Sequence, residues 1–403
     1  MKRPIFIIVG TILVFILLGV WIYVLFFSSP ATSTTNTYTD LDIGDTTDPD
    51  SIPVTNTATD EPTVNVTSPD RLRQITTKPT IGYEEVTRDA SSTPEVYYIE
   101  AGTGHIFSID LLTGAERRIS GTTIPLSSRG AITPDGKFVF MQSGSGGTRE
   151  FVIGEFSSTS NELMVAPLEE KIIDFRSTSD NNFLYAVQTN NSVIGKEYLP
   201  LQKADRTLFT VPFREAVIDW GDTATATHYA YPKTANKLEG FVYQVKDGVL
   251  KRLPIDGFGL SAVGGDDYVL YSKQVKGEYS TYIFNLSTGI SNESAVKIIP
   301  EKCATIPSSP DVACASIFTS YNSETPDRWY KGLDSYADSI LTVSSVNFRA
   351  TYLSNTLKES GRELDIVSPK VSVNGARIYF INKNDNLLWL YQLKQEARSE
   401  ESN

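Results

Sequence analysis

Two histidines and two cysteines are all that 403 residues supply for imidazole or thiolate chemistry. His105 and His228 lie far apart in sequence, and a Ser-His-Asp or Cys-His device needs one of them beside a nucleophile. No GxSxG elbow occurs. A zinc centre needs three or more converging nitrogen, sulfur or carboxylate ligands, and there is no HExxH or CxxC spacing to provide them. The Gly-rich Ser143-Gly-Ser-Gly-Gly-Thr148 lacks the lysine of a phosphate loop and joins two expected strands, so it reads as a connecting loop. Basic clusters are missing too, which removes the electrostatic footprint of nucleic-acid binding. Helical periodicity is absent after Phe27. The sequence therefore nominates no catalytic, cofactor-binding or metal-ligating set, and whether the protein is an enzyme stays open.

What is present begins at the N-terminus. Lys2 and Arg3 precede an uncharged apolar run from Pro4 to Phe27. About 24 helical residues at 1.5 Å each span roughly 36 Å, enough for a hydrocarbon core of about 30 Å. The run ends in Val24-Leu25-Phe26-Phe27, where a cleavage site would need small residues, and no cysteine follows for a lipid anchor. Residues 1–27 thus read as an uncleaved transmembrane signal anchor. Lys2 and Arg3 are the only basic residues before Arg71, so the N-terminus is expected inside and the rest outside the cytoplasm. Residues 28–70 are rich in Ser, Thr, Pro and Asp and hold eight acidic residues and no basic one. They read as a disordered, self-repelling stalk. A glycosylated or recognition segment is the alternative. Of the net charge of −12, residues 71–403 carry −6. Residues 394–403 form a polar tail.

Between them, one unit recurs seven times at intervals of roughly 43 residues, a period that marks stacked repeats. Each unit is an apolar strand, a polar turn and a second apolar strand. The clearest copies are Ala131-Ile-Thr-Pro-Asp-Gly-Lys-Phe-Val-Phe140, Ser177-Thr-Ser-Asp-Asn-Asn-Phe-Leu-Tyr185 and Val371-Ser-Val-Asn-Gly-Ala-Arg-Ile-Tyr-Phe380. Such units cannot bury both faces alone, and stacking them around an axis gives an all-β, seven-bladed β-propeller over residues 71–393. Six or eight blades also fit the length. The expected fourth strands include Leu250–Leu253 in the fourth blade and Val296–Ile299 in the fifth. The seventh blade is one strand short, with Asp365–Pro369, Arg377–Ile381 and Leu388–Leu393. Leu72–Thr76 resembles other fourth strands in composition and is the candidate to complete it, closing two sheet edges; an unpaired end strand is the alternative.

Cys303 and Cys314 flank the turn Pro307–Asp311 symmetrically, which sets them opposite each other on the first two strands of the sixth blade. A structural disulfide is expected there, persisting outside the cytoplasm. Asp174-Phe175 and Asp219-Trp220 occupy like places in consecutive blades. Two carboxylates are too few for calcium; the alternative is that each aspartate accepts from backbone amides of a neighbouring blade. One segment breaks the period. Ser320–Asp338, between the second and third strands of the sixth blade, inserts Tyr321, Asp327, Trp329, Tyr330, Asp334, Tyr336 and Asp338. Aromatic residues flanked by charge suit a partner-binding hot spot. They equally suit a loop pinned over a neighbouring blade.

Thr133-Pro134-Asp135-Gly136-Lys137 resembles the repeat of TolB-like, WD40-like (PD40-type) propellers, with a partial match at Ser372–Gly375. The part after residue 70 is also similar to an uncharacterised bacterial family of single-anchor membrane propellers, through Lys78–Gly82, Ile119–Pro125, the Cys303/Cys314 hairpin and Pro326–Tyr330. The resemblance implies binding within envelope assemblies more than catalysis. The reading is a non-enzymatic, extracytoplasmic binding scaffold on the cytoplasmic membrane, for a protein or glycan partner and not for nucleic acid. The alternative is a carbohydrate-active hydrolase or lyase with its site over the channel, since two carboxylates at suitable separation leave no sequence signature.

Overall fold

Alternation of buried and solvent-facing side chains becomes antiparallel sheet almost throughout. The computed structural model describes residues 71–86, 93–144, 147–157, 161–319 and 321–393. The first sheet runs Thr80–Val86, Glu95–Glu100, Ile106–Asp110, Glu116–Ser120. The second runs Arg129–Ile132, Phe138–Ser143, Glu150–Phe156, Leu163–Leu168. Ile172–Ser177, Phe183–Gln188, Val193–Leu199 and Ala204–Val211 form the third. A seven-stranded sheet follows: Ala216–Asp219, His228–Pro232, Glu239–Lys246, Val249–Gly264, Tyr268–Val275, Glu278–Asn285, Ser291–Glu293. It is two four-strand meanders sharing the long strand Val249–Gly264, which pairs with Glu239–Lys246 on one side and Tyr268–Val275 on the other. Cys303–Thr305, Asp311–Ser316, Ser339–Ser344 and Ala350–Asn355 make the next sheet. In the last, Ile366–Val371, Arg377–Asn382 and Leu388–Gln392 are joined by Leu72–Gln74, with Leu72 opposite Tyr391 and Gln74 opposite Trp389.

Successive four-stranded meanders stacked face to face are the architecture of a β-propeller. The buried apolar residues show the stacking, since each cluster is shared by two consecutive repeats. Val139 and Met141 pack with Ile99 and Ile106, and Phe175 and Tyr185 with Phe140 and Phe151. Trp220 and Ala230 pack with Phe209, and Leu260 and Val269 with Tyr231 and Val242. Val312 and Leu341 pack with Leu270, and Ile378 and Phe380 with Ala313 and Ile340. A further cluster joins Tyr379 and Leu390 of the last repeat to Tyr83, Val96 and Tyr98 of the first. Among the described residues no single four-stranded repeat carries its own core. The apolar burial sits between repeats, as expected where one repeat cannot bury its faces alone.

The three clearest sequence copies share one local device. The hydroxyls of Thr133, Thr178 and Ser372 donate to Asp135, Asp180 and Asn374 two residues on. They also accept from the N–H of Phe138 (3.0 Å), Asn182 (2.8 Å) and Arg377 (2.9 Å), where the second strand starts. The turn is thus written by side-chain competition for backbone donors. Gly136 sits at φ 67°, and a Cβ there would lie 2.9 Å from Tyr97 of the preceding repeat, so the position demands glycine.

Two strand expectations are corrected. Val296–Ile299 is not the fourth strand of the fifth repeat; the short Ser291–Glu293 pairs in its place. Side-chain hydroxyls satisfy Ile298 instead of a ladder. Its N–H donates to Thr281 Oγ1 at 2.7 Å and its carbonyl accepts from Ser272 Oγ at 2.6 Å, so the chain crosses the repeat and enters the 3₁₀ turn Pro300–Lys302. Leu250–Leu253 does not end before the next blade begins, because Val249–Gly264 is continuous across both. Two short helices also occur, α1 (Asp327–Tyr330) and α2 (Thr356–Ser360). Cys303 and Cys314 are in register across their hairpin with Cα atoms 4.0 Å apart, and the disulfide is formed. The expected anchor, stalk and polar tail lie outside the described residues. Among the described residues no helix is long and apolar enough to cross a membrane.

Candidate functional site

The inner strands meet one another edge to edge, mostly through polar side chains. Arg129 of the second repeat donates to Asp174 of the third at 2.7 Å, and Asp174 also accepts from Trp220 Nε1 of the fourth at 2.9 Å. Arg176 donates to the Trp220 carbonyl at 2.6 Å, and Asp219 accepts the Gly264 N–H at 2.6 Å. Lys370 of the last repeat donates to Glu84 of the first at 2.7 Å; Glu84 also accepts from Ser177 of the third at 3.1 Å. The aspartates in like places are therefore engaged in ties between repeats. Asp219 bonds a neighbour's backbone amide, whereas Asp174 is held by side chains. Among the described residues no group of three or more His, Cys, Asp or Glu side chains is arranged to hold a metal. His228 is buried, accepts from the Gly221 N–H at 3.0 Å, and is pushed down in pKa by desolvation.

The seven candidate residues of the insertion divide by burial. Tyr321, Trp329 and Asp338 are inside the protein, Asp327, Asp334 and Tyr336 are half-buried, and Tyr330 is exposed. Trp329 lies over a packed layer of Tyr279, Ile299 and Tyr321, and Nε1 donates to both oxygens of Asp365 at 3.0 Å. Tyr321 meets Tyr279 and Tyr336 edge-on, at centroid distances of 5.8 and 5.1 Å. Asp327 accepts the Asn236 N–H at 2.8 Å, and Arg328 donates through Nε to both oxygens of Asp334, at 2.9 and 3.1 Å. Lys383 donates to the Trp329 carbonyl at 2.6 Å. The insertion is thus fastened to the fourth, fifth and seventh repeats. Its outward side presents Tyr330 and Leu333. Leu238 and Phe258, both exposed, belong to neighbouring segments in contact with it, since Asn236 bonds Asp327 and Gly259 lies against Pro326.

Residues without a sequence signal complete the region. Lys302 is fully buried between the Trp329 and Tyr336 rings, each 5.1 Å from Nζ, and donates to Asp338 and Asp365. Glu301 accepts from the hydroxyls of Tyr330 and Tyr231, and burial pushes its carboxyl up. Asp219 retains part of its accessible surface yet is surrounded by protein. Desolvation pushes its pKa up to about 7, with Glu301 and Asp222 adding to the rise and the Gly264 N–H and Arg176 opposing it.

That shift has a definite sign. A carboxyl raised above its unfolded value holds its proton in the folded state while the unfolded chain releases it. The stability it contributes is full below pH 4 and is lost as pH rises towards 7. Three pH units correspond to an upper bound of about 4 kcal/mol. Asp219→Asn, which keeps an oxygen for the Gly264 N–H, should melt later than the parent at pH 8 and lose that pH dependence. Thermal melts of both proteins between pH 4 and 8 check this, and parallel curves would refute it.

Neither a family model nor a curated protein matches this chain. Solved structures do resemble it. The β-propeller domain of the Trilobed protease from Pyrococcus furiosus, described as having an open velcro topology, matches at 10% identity and a TM-score of 0.49, over 79% of this chain and 99% of that one. Hydrazine synthase of Kuenenia stuttgartiensis matches at 11% identity and 0.49, over 79% and 96%. The RRP9 WD40 repeats match at 13% identity and 0.48, over 80% and 97%.

Proposed function

We propose that residues 71–393 form a closed seven-bladed ring, held outside the cytoplasmic membrane by the apolar run Pro4–Phe27 and the acidic segment 28–70. The ring acts as a non-enzymatic scaffold that binds a protein or glycan through the insertion side. The observation that carries this reading is a contrast. Charged groups of the inner strands are tied to one another across repeats, while bulky apolar side chains stand exposed on and beside the insertion. Tyr330, Leu333, Leu238 and Phe258 are 44%, 61%, 62% and 50% exposed. Large exposed apolar residues rimmed by polar ones mark contact surfaces.

Crosslinking in intact cells followed by mass spectrometry identifies the neighbour. Leu333→Asp combined with Phe258→Asp should then lower its capture about tenfold or more, as loss of hot-spot contacts does, with an unchanged melting temperature. Undiminished capture would remove the insertion side from consideration. The hydrolytic reading has its own observation, the two desolvated carboxyls of Asp219 and Glu301. It predicts that the Asp219→Asn protein loses turnover of a glycan while still binding it.

A further inference from the structure

The ion cluster beneath the insertion has the composition of a condensation site. The side chains of Lys302, Asp338 and Asp365 are all 0% exposed. Lys302 Nζ touches Asp338 Oδ2 and lies 2.5 Å from Asp365 Oδ1. The Trp329 and Tyr336 rings flank the ammonium and keep water from it. A buried lysine between two buried carboxylates is a poor way to gain stability, because desolvation offsets most of the Coulomb attraction. One proton passed from Nζ to a carboxylate turns the pair into a free amine facing a carboxylic acid, and those two groups can form an amide.

We propose that Lys302 and Asp338 are joined by an intramolecular isopeptide bond, with Asp365 as the residue that carries the proton. The two carboxylates are held differently, which assigns the roles. Asp338 Oδ2 accepts the Ile366 N–H at 2.8 Å, a donor placed to stabilise the oxyanion that forms when the amine attacks Cγ. Among the described residues Asp338 Oδ1 has no hydrogen-bond partner, and it is the oxygen that leaves. Burial pushes the Asp338 carboxyl up, towards the protonated form that can be attacked. Asp365 is fixed by Trp329 Nε1 at 3.0 Å, lies 3.7 Å from Lys383 Nζ, and has Oδ1 2.5 Å from Lys302 Nζ, in place to accept the amine proton.

The step balances without an oxidant or co-reactant. The Nζ–Cγ bond forms, the Cγ–Oδ1 bond breaks, and the oxygen leaves as water. Its two protons are the one on the acid and the one that Asp365 takes from the amine. Two buried charges disappear, and Asp365 remains paired with Lys383. The amide would tie the turn before the sixth repeat to the last residue of the insertion, 36 positions on.

A tryptic map of the reduced full-length protein tests this directly. Acylated Lys302 resists trypsin, so a branched product is expected, with Ile298–Arg328 attached to Gly332–Arg349 and lighter than their sum by one water. Recovery of free peptides ending at Lys302, with unmodified Gly332–Arg349, overturns the bond. A branch onto Glu363–Lys370, which contains Asp365, overturns the assignment to Asp338. In Asp365→Asn the branched fraction should fall about a hundredfold at equal times, the scale of a lost general base. Full branching there overturns the proton-carrying role. The parent protein alone decides whether the bond exists.

Discussion

Deleting Leu72–Thr76 is expected to make the protein self-associate more than the parent and melt at least about 6 °C earlier, on the scale of about 1.5 °C per kcal/mol for a domain of roughly 320 residues. The segment supplies one edge of the last sheet. Ile75 donates to the Leu388 carbonyl at 2.8 Å, the Leu388 N–H donates to Thr76 Oγ1 at 2.9 Å, and the ladder runs on through Leu72 opposite Tyr391. Leu72 is 6% exposed and belongs to the layer shared by the last two repeats. Losing one buried leucine costs about 2–5 kcal/mol, and each ladder bond adds about 0.5–1.5 kcal/mol. The deletion also bares Leu388–Gln392 as an edge strand carrying Trp389 and Tyr391, a template for pairing with another molecule. Light scattering and a thermal melt read both effects. A shortened protein that associates no more than the parent and melts with it would show that the ends do not hold the structure together.

The fold was legible in this chain because its determinants are local and repeated. Thr133, Thr178 and Ser372 announce the same turn by their spacing to an acceptor two residues on, and the apolar pairs after them announce the strand. The pairing of Leu72–Gln74 with the last strand of the seventh repeat was readable from composition, and the cysteine pairing from symmetry about a turn. The path of Val296–Ile299 was not legible. Its apolar pattern fits a strand, but the hydroxyls of Ser272 and Thr281, far away in sequence, satisfy Ile298 and draw the segment across the repeat. The same holds for the site. The insertion stood out because it broke the period, yet which of its residues face inward depends on Lys302 and Asp365, and single charged residues in loops carry no pattern. Asp219 feels the charge of Glu301 only because the repeats stack. Sequence located the region; long-range contacts decide what each residue does there.

Trp329 and Tyr330 are neighbours in α1 and should separate two roles. Trp329→Ala removes an indole that is 5% exposed, leaves a hole over Tyr279, Ile299 and Tyr321, and takes the Nε1 donor from both oxygens of Asp365. Truncating a buried tryptophan costs about 3–5 kcal/mol, and a buried carboxylate losing one of its donors while keeping Lys302 adds about 1–3 kcal/mol. The expected result is a melting temperature lower by about 6–12 °C, together with any loss of binding. Tyr330→Ala removes a ring that is 44% exposed together with the hydroxyl that donates to desolvated Glu301, at a cost of about 1–3 kcal/mol, and it should lower the melt by less than about 5 °C while weakening capture of the partner. The contrast in melting, measured on both variants with the crosslinked neighbour as the second readout, is what distinguishes a fastening residue from a contact residue. If Trp329→Ala instead abolished capture at an unchanged melting temperature, its indole would belong to the interface, and the buried network beneath it would not be what keeps the insertion in place.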